Sequence, residues 1–159
     1  MSATKTMNGA SGMTGTAWAA LERGECELAT VLGMSSDQLA DLAARARWYL
    51  AQGDDERALI VAEMLEALDG TSLEGQLLLV DVLLAAGDSD RAREHWARLA
   101  ACGAGPALVQ IVGAQLELAR GRLELARRTL EPWVAKASSL DGMTRARLAA
   151  ALEPWIRKH

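Results

Sequence analysis

Three short stretches of the chain recur at a constant interval, and this repeat constrains the fold more than any other feature. They read LAQGDDERA, LAAGDSDRA and LARGRLELA, and they begin at Leu50, Leu84 and Leu118. Each contains a glycine and, five residues later, an alanine, so that both residues recur every 34 positions. A period of this length predicts an array of helical hairpins, because a single unit cannot bury its apolar face alone.

The repeated residues fit the helix-turn-helix unit of a tetratricopeptide repeat. The glycines suit the left-handed conformation that ends a first helix, A, and the alanines suit the close crossing of A with a second helix, B. A larger side chain at that crossing would overpack it by roughly 1–3 kcal/mol. The residues concerned are Gly53, Gly87 and Gly121 at the turns and Ala58, Ala92 and Ala126 at the crossings.

Helix starts are predicted in the same register. Asp54 and Asp88 stand where the B helices need an N-cap, and the third copy has Arg122, which is weaker there. The A helices begin near three local signals, which are Ser35-x-x-Gln38 and Thr71-x-x-Glu74, both capping-box patterns, and Gly105-Pro106, with proline at a first helical position.

The predicted fold is all-α: a tetratricopeptide-repeat α-solenoid of three helical hairpins with flanking N- and C-terminal helices. The alternative is an irregular helical bundle. Residues 1–14 are predicted to be a disordered tail because they are small and polar. One domain is predicted over 15–159, made of an N-terminal helical segment (15–34), repeats at 35–72, 73–106 and 107–139, and a capping helix at 140–158.

Charge and composition limit which partners are expected. The net charge is −4 and the pI about 5.2, so that nucleic acid and anionic membrane surfaces are not expected partners. No apolar run predicts a membrane span or a secretion signal. Cys26 and Cys102 lack metal-ligand or disulfide-framework spacing, and they are expected to be reduced thiols in a cytosolic protein.

No catalytic or cofactor site is predicted. His159 is the last residue, and His95 lies beside Trp96 on a B helix, away from the predicted groove, with no Cys or Ser positioned by spacing to act as a nucleophile. Phosphate-binding glycine loops and metal-ligand spacings are absent from the sequence, and the acidic pairs are explained as helix caps. We therefore expect no enzyme activity, no cofactor and no metal.

The A helices of such an array line a groove, and the repeat register predicts which side chains face it. Three polar residues fall at one phase, 34 positions apart, among mostly apolar neighbours, which suits an extended peptide. The alternative is that part of this set is interhelical core. The set is Ala43, Arg47, Leu50, Leu77, Leu78, Asp81, Leu84, Leu108, Ile111, Val112, Gln115 and Leu118, of which Arg47, Asp81 and Gln115 form the polar ladder. Binding there predicts that Leu77→Asp or Ile111→Asp abolishes peptide binding while helicity survives.

Two flanking features complete the sequence. The motif LEPW occurs twice, at Leu130 and Leu152, and its prolines predict bent or ended helices anchored by the tryptophans, with a binding motif as the alternative. Near the N-terminus an apolar stripe is compatible with an amphipathic helix or two short ones. That stripe is Trp18, Leu21, Leu28 and Leu32.

The chain resembles the class II chaperones of bacterial type III secretion. The resemblance is most detailed from Ala17 to Gly53, AWAALERGECELATVLGMSSDQLADLAARARWYLAQG, with a leucine-containing helix, a glycine break, a Ser-x-Asp-x-Leu helix start and the first repeat glycine. In architecture it covers most of the chain. The family's groove is usually aromatic, whereas this chain has Ala43, Arg47 and Leu50 in the first repeat.

The resemblance implies a function. Members of the family hold hydrophobic translocator subunits in the bacterial cytoplasm before export, with an extended cargo segment in the groove. Their N-terminal helix often mediates homodimers, so Trp18, Leu21, Leu28 and Leu32 are the candidate dimer surface here. The alternatives are a chaperone for another substrate such as a needle subunit, a tetratricopeptide scaffold or adaptor, and a secretion-apparatus component.

Overall fold

The computed structural model describes residues 11–156, with side chains from residue 15. Over this range the chain is helical without any strand, and the all-α prediction is confirmed. The helices are α1 (Ser11–Glu22), α2 (Leu28–Val31), α3 (Ser36–Ala51), α4 (Asp55–Leu68), α5 (Leu73–Ala85), α6 (Ser89–Arg98), α7 (Pro106–Ala119), α8 (Leu123–Ala135) and α9 (Gly142–Ile156), with a 3₁₀ turn at Ala137–Ser139.

Three antiparallel hairpins form the body of the molecule, as predicted: α3 with α4, α5 with α6, and α7 with α8. Successive hairpins join where α4 packs on α5 and α6 packs on α7. Helix α1 begins at Ser11, so residues 11–14 of the segment 1–14 that was predicted to be a disordered tail belong to this helix. They extend it on the N-terminal side of its alanine-rich part, since adding residues to an existing helix is easier than starting one. The rest of that tail, residues 1–10, lies outside the described residues.

Each repeated glycine ends an A helix in the left-handed conformation, as predicted. In the first hairpin the N–H of Gly53 donates to the carbonyl of Leu50 and that of Asp54 to the carbonyl of Tyr49, both at 3.0 Å. This pattern is a Schellman motif, and it requires a positive φ that glycine adopts without strain. The three φ values are 73° at Gly53, 79° at Gly87 and 74° at Gly121.

The B helices begin as the sequence indicates. The carboxylates of Asp54 and Asp88 each accept the backbone N–H three residues later, at 3.1 Å, whereas Arg122 provides no side-chain cap. The crossing alanines have no exposed surface, as expected where two helices cross closely. They are Ala58, Ala92 and Ala126.

One predicted A-helix start is displaced by a residue. The N-cap of α5 is Ser72, whose hydroxyl accepts the N–H of Gly75 at 3.3 Å, so the prediction of Thr71 was wrong. Thr71 instead donates its hydroxyl to the carboxylate of Asp69 at 3.3 Å. Both neighbours are good caps, and the sequence alone does not distinguish them. The capping box of Ser35 with Gln38 is present as predicted.

A tryptophan holds the second and third hairpins together. Trp96 on α6 donates its indole N–H to the carbonyl of Val109 on α7 at 2.7 Å, and its ring lies against Gly113. A Cβ built on Gly113 would lie 3.1 Å from the ring, closer than an ordinary van der Waals contact. The glycine is therefore a packing requirement in the middle of α7.

Gly113→Ala should destabilise the protein by about 1 kcal/mol. Alanine gains about 1 kcal/mol of helix propensity, but overpacking against a ring held by its own hydrogen bond costs roughly 1–3 kcal/mol. Gly75→Ala is the matched control, because its Cβ would make only ordinary contacts of 3.6 and 3.7 Å with Ser72 and Leu65. Urea unfolding should show this control to be neutral or stabilising; equal gains in both variants would contradict the packing argument.

A buried polar cluster lies where the first two hairpins meet. The ring of His95 contacts the side-chain oxygen of Gln76 through Nδ1 at 3.0 Å, and Gln76 donates to the carbonyl of Gly70 at 3.0 Å. Glu66 lies 3.3 Å from the same ring nitrogen and accepts a bond from Arg98 at 2.8 Å. Burial lowers the pKa of His95, so that the ring is neutral at pH 7 and structural in role.

Candidate functional site

The predicted polar ladder on the A helices is occupied by the protein itself. Asp81 on α5 and Gln115 on α7 both bind Arg147, a residue of the C-terminal helix α9. The third member, Arg47 on α3, forms an ion pair with Glu74 at 2.7 Å. The three polar residues of the ladder are regularly spaced, but each already has a partner within the protein.

The bond between Arg147 and Asp81 is bidentate. The two terminal guanidinium nitrogens lie 2.8 and 2.6 Å from the two carboxylate oxygens, the planar geometry that makes such pairs strong. The side chain of Arg147 is only 16% exposed and that of Asp81 36% exposed. One nitrogen also lies 3.4 Å from the side-chain oxygen of Gln115. Arg147 thereby ties α9 to both the second and the third hairpin.

The start of α9 is tied down by local hydrogen bonds. Asp141 accepts both the backbone N–H of Thr144, at 2.9 Å, and its hydroxyl, at 2.6 Å. These bonds hold the pKa of Asp141 below its usual range, and Thr144 is buried. Arg145 donates to the carbonyls of Ala137 at 3.1 Å and Leu140 at 2.7 Å. The loop before α9 is therefore bonded to the first turn of the helix.

Helix α9 covers the third-repeat part of the predicted groove. It packs mainly against α7, where Leu148 and Ala151 share a buried cluster with Ile111 and Ala114. Leu118 packs against the same cluster. Ile111, Gln115 and Leu118 thus contact the protein's own C-terminal helix or lie in the cluster that this helix completes.

Most apolar members of the predicted groove lie in the core instead of facing open space. Adjacent helical residues are about 100° apart, and Ile111 and Val112 accordingly lie in two different buried clusters on different sides of α7. Those with almost no exposed surface are Ala43, Leu77, Leu78, Leu108, Ile111 and Val112. Leu50 and Leu84 are half-buried against the main cluster. These residues fit the core alternative, because a solenoid helix packs against neighbours on several sides.

An open pocket remains between α3, α5 and the N-terminal half of α9. Its volume is about 470 Å³, within the range of ligand pockets. Four of its lining residues belong to the predicted groove: Arg47, Leu77, Leu78 and Asp81. Four others were not predicted: Leu73, Glu74, Met143 and Arg147. Met143 and Arg147 are one helical turn apart on α9, a spacing that would have indicated a shared face.

The candidate dimer stripe lies near the N-terminus, on α1 and α2. Trp18 and Leu32 are exposed, and Leu21 and Leu28 are half-buried. Helix α1 packs on the short α2, and α2 packs on α4. This stripe is thus separate from the pocket, and its role in a dimer stays a prediction.

Both LEPW motifs make packing contacts. Pro132 lies inside α8, which ends three residues later, and Pro154 lies inside α9. Trp133 donates its indole N–H to the side chain of Gln110 on α7 at 3.0 Å. Trp155 packs against the buried cluster between α7, α8 and α9.

Two other kinds of site are absent from the part of the chain that the structure describes. No His, Cys, Asp or Glu residues of 11–156 gather in groups of three or more that could hold a metal ion. Within the same residues, no helix combines the length and the apolar character needed to cross a membrane.

Comparison with known proteins shows likeness in structure. No protein-family model and no curated protein sequence matches the chain. The type III secretion translocator chaperone SycD of Yersinia enterocolitica superposes with a TM-score of 0.65 at 23% identity, over 81% of this chain and 98% of SycD. A chain in the crystal structure of a T3SS complex from Aeromonas hydrophila superposes with a TM-score of 0.65 at 22% identity. The match covers 91% of the present chain and 97% of the Aeromonas chain. At these identities the likeness establishes a shared helical fold.

Proposed function

We propose that this protein is a class II chaperone of bacterial type III secretion. It binds an extended apolar segment of a secreted, translocator-type protein and keeps that protein soluble in the bacterial cytoplasm before export. The observation that carries the proposal is the open pocket on the A-helix face, whose apolar lining comes from Leu73, Leu77, Leu78 and Met143. The fold shared with a translocator chaperone supports the same function.

The pocket has the chemistry that such a role needs. An apolar cargo side chain that enters it leaves water, and each buried methylene contributes about 0.8 kcal/mol. Binding of one such segment does not fold the cargo, so the cargo stays competent for export. The chaperone acts by occupying a segment that would otherwise aggregate or insert into a membrane.

The charges at the pocket argue against an adaptor that clamps acidic peptide termini. Such a clamp needs unpaired basic groups to meet carboxylates. Here Arg47 is paired with Glu74 and Arg147 with Asp81, so both cations at the pocket are already neutralised. The proposed partner is therefore an apolar segment, and a homodimer through the stripe of Trp18 and Leu32 stays part of the proposal.

Leu73→Asp should weaken cargo binding at least about tenfold. Leu73 is the first residue of α5, where an aspartate is favourable for the helix but places a charge in the apolar pocket. The full-length chain is titrated with short overlapping peptides that cover the translocator proteins of its host, and affinity is measured by fluorescence anisotropy.

Leu123→Asp is the matched control. Leu123 is the first residue of α8, is 45% exposed and lies outside the pocket, so its replacement should leave affinity unchanged. Thermal melts of both variants check that the helices survive. Equal affinities for the wild type and both variants would reject the pocket, and failure of every translocator peptide to bind would reject the proposed function.

A further inference from the structure

We propose that the C-terminal end of the array is a self-association surface, which binds a second copy of this chain about a two-fold axis. Its centre is a mostly apolar pocket of about 340 Å³ between α8 and the second half of α9, called the end pocket below. Ile156 of each copy enters the end pocket of the other, and Arg127 of each copy pairs with Glu131 of the other. This inference goes beyond the proposed function, because it involves neither cargo nor the groove.

The end pocket lies between the two LEPW motifs. Leu130 and Glu131 come from the first motif, and Leu152 and Trp155 come from the second. The pocket beside Met143 is lined by the first half of α9 instead, and the two pockets have no lining residue in common. A molecule can therefore bind at the end pocket without entering the groove.

The repeat register explains why the end pocket is open. Leu130 follows Trp96 by 34 positions, so the two residues are equivalent. At the junction between the second and third hairpins, the indole of Trp96 reaches across to Val109 and Gly113 on α7. The smaller leucine on α8 is buried but leaves open space beside α9. Apolar atoms that line such a space lack contacts on one side, and an apolar side chain from another molecule supplies them.

Apolar side chains are also exposed around the end pocket. Ile156 is 67% exposed at the end of α9, and Val134, which lines the pocket, is 47% exposed. Leu125 is 49% exposed on α8, where the two earlier repeats have Arg57 and Arg91. The terminal unit of a repeat array usually has a polar outer face, and an apolar one marks an interaction surface.

The arrangement of these side chains is complementary to itself. The exposed Ile156 directly follows Trp155, which lines the end pocket, so that a projecting apolar side chain and an open pocket are neighbours. Two copies related by a two-fold axis make every contact twice, and each can therefore fill the other's pocket with the same residue. This reciprocity favours a second copy as the occupant.

The charges at the end pocket are complementary in the same way. Arg127 and Glu131 both line it and lie one helical turn apart on α8. When two α8 helices cross in antiparallel orientation, Arg127 of each copy faces Glu131 of the other. Arg127 bonds to Glu124 within its own helix at 2.8 Å, but this pair is exposed and contributes little, so that breaking it costs little. Glu124 keeps its bond to Arg128, at 3.2 Å.

Sedimentation equilibrium of the full chain tests the proposal. Leu32→Asp is used as the background because Leu32 is 55% exposed on the candidate dimer stripe, and a charge there prevents association through that stripe. This chain should still dimerise. Adding Ile156→Asp should weaken dimerisation at least about tenfold, because it brings a carboxylate into an apolar pocket. Adding Ile60→Asp is the matched control, since Ile60 is 58% exposed on α4 and should leave dimerisation unchanged.

A charge swap in the same background tests the two-fold pairing. Arg127→Glu and Glu131→Arg should each weaken dimerisation when present alone, because like charges then face each other across the interface. An equimolar mixture of the two variants should form mixed dimers, since every glutamate then faces an arginine of the other chain. Circular dichroism checks that each variant keeps its helices.

Each result decides for or against the self-association surface. A monomeric Leu32→Asp chain would overturn it and leave the end pocket to a different protein. Dimerisation that survives Ile156→Asp, or that is weakened equally by Ile60→Asp, would also overturn it. The absence of mixed dimers would contradict the reciprocal pairing of Arg127 with Glu131. Because no cargo is present in these measurements, their failure is distinct from a failure of the proposed function.

Discussion

Ile111→Asp should unfold the third hairpin instead of only abolishing peptide binding in the predicted groove. The side chain of Ile111 has no exposed surface and packs with Leu148 and Ala151 of α9. The substitution loses about 1.5–3 kcal/mol of burial and places a carboxylate in an apolar cluster at a cost of several kcal/mol more. Since a small domain is stable by only about 5–15 kcal/mol, far-UV circular dichroism at room temperature should already show lost helix.

Ile60→Asp is the control for this result. It is the same chemical change on α4, but Ile60 is 58% exposed, so the melting curve should stay close to that of the wild type. The sequence-based prediction was that Ile111→Asp abolishes peptide binding while helicity survives. A folded Ile111→Asp chain with a wild-type melting temperature would favour that earlier prediction over the core assignment.

The architecture of the three hairpins could be predicted because local chemistry determines it. Gly53 and its two equivalents are needed for a left-handed turn, and Ala58 and its equivalents are needed where two helices touch. Each of these requirements involves residues close together in the chain. Each local signal alone is weak, but its recurrence at a fixed period of 34 identifies the repeat array.

The groove could not be predicted with the same accuracy because burial depends on helices far away in the chain. The register places Leu77 and Leu78 on α5 correctly, yet only the packing of α3, α6 and α9 decides which surface stays open. Asp81 and Arg147 are separated by 66 positions, and no pattern in the sequence links them. The last helix was predicted as a cap, and its contribution of Met143 to the pocket follows only from the structure.

The bidentate pair of Arg147 with Asp81 should contribute more stability than any other ion pair at the pocket. Arg147→Ala leaves a half-buried carboxylate without its partner, so we expect a loss of about 2 kcal/mol in the free energy of unfolding. This is below the roughly 3–5 kcal/mol for breaking a fully buried pair, because Asp81 keeps some contact with water. Urea unfolding of the full chain, followed by circular dichroism, measures the loss.

Arg47→Ala is the matched control for the pair. Arg47 forms a bond of similar length with Glu74, but both side chains are about half exposed, and the expected loss is at most about 1 kcal/mol. The double variant Asp81→Ala with Arg147→Ala should lose less than the sum of its two single variants, since each single variant already breaks the same bond. Additive losses, or an Arg147→Ala chain as stable as Arg47→Ala, would show that α9 is held by its apolar contacts alone.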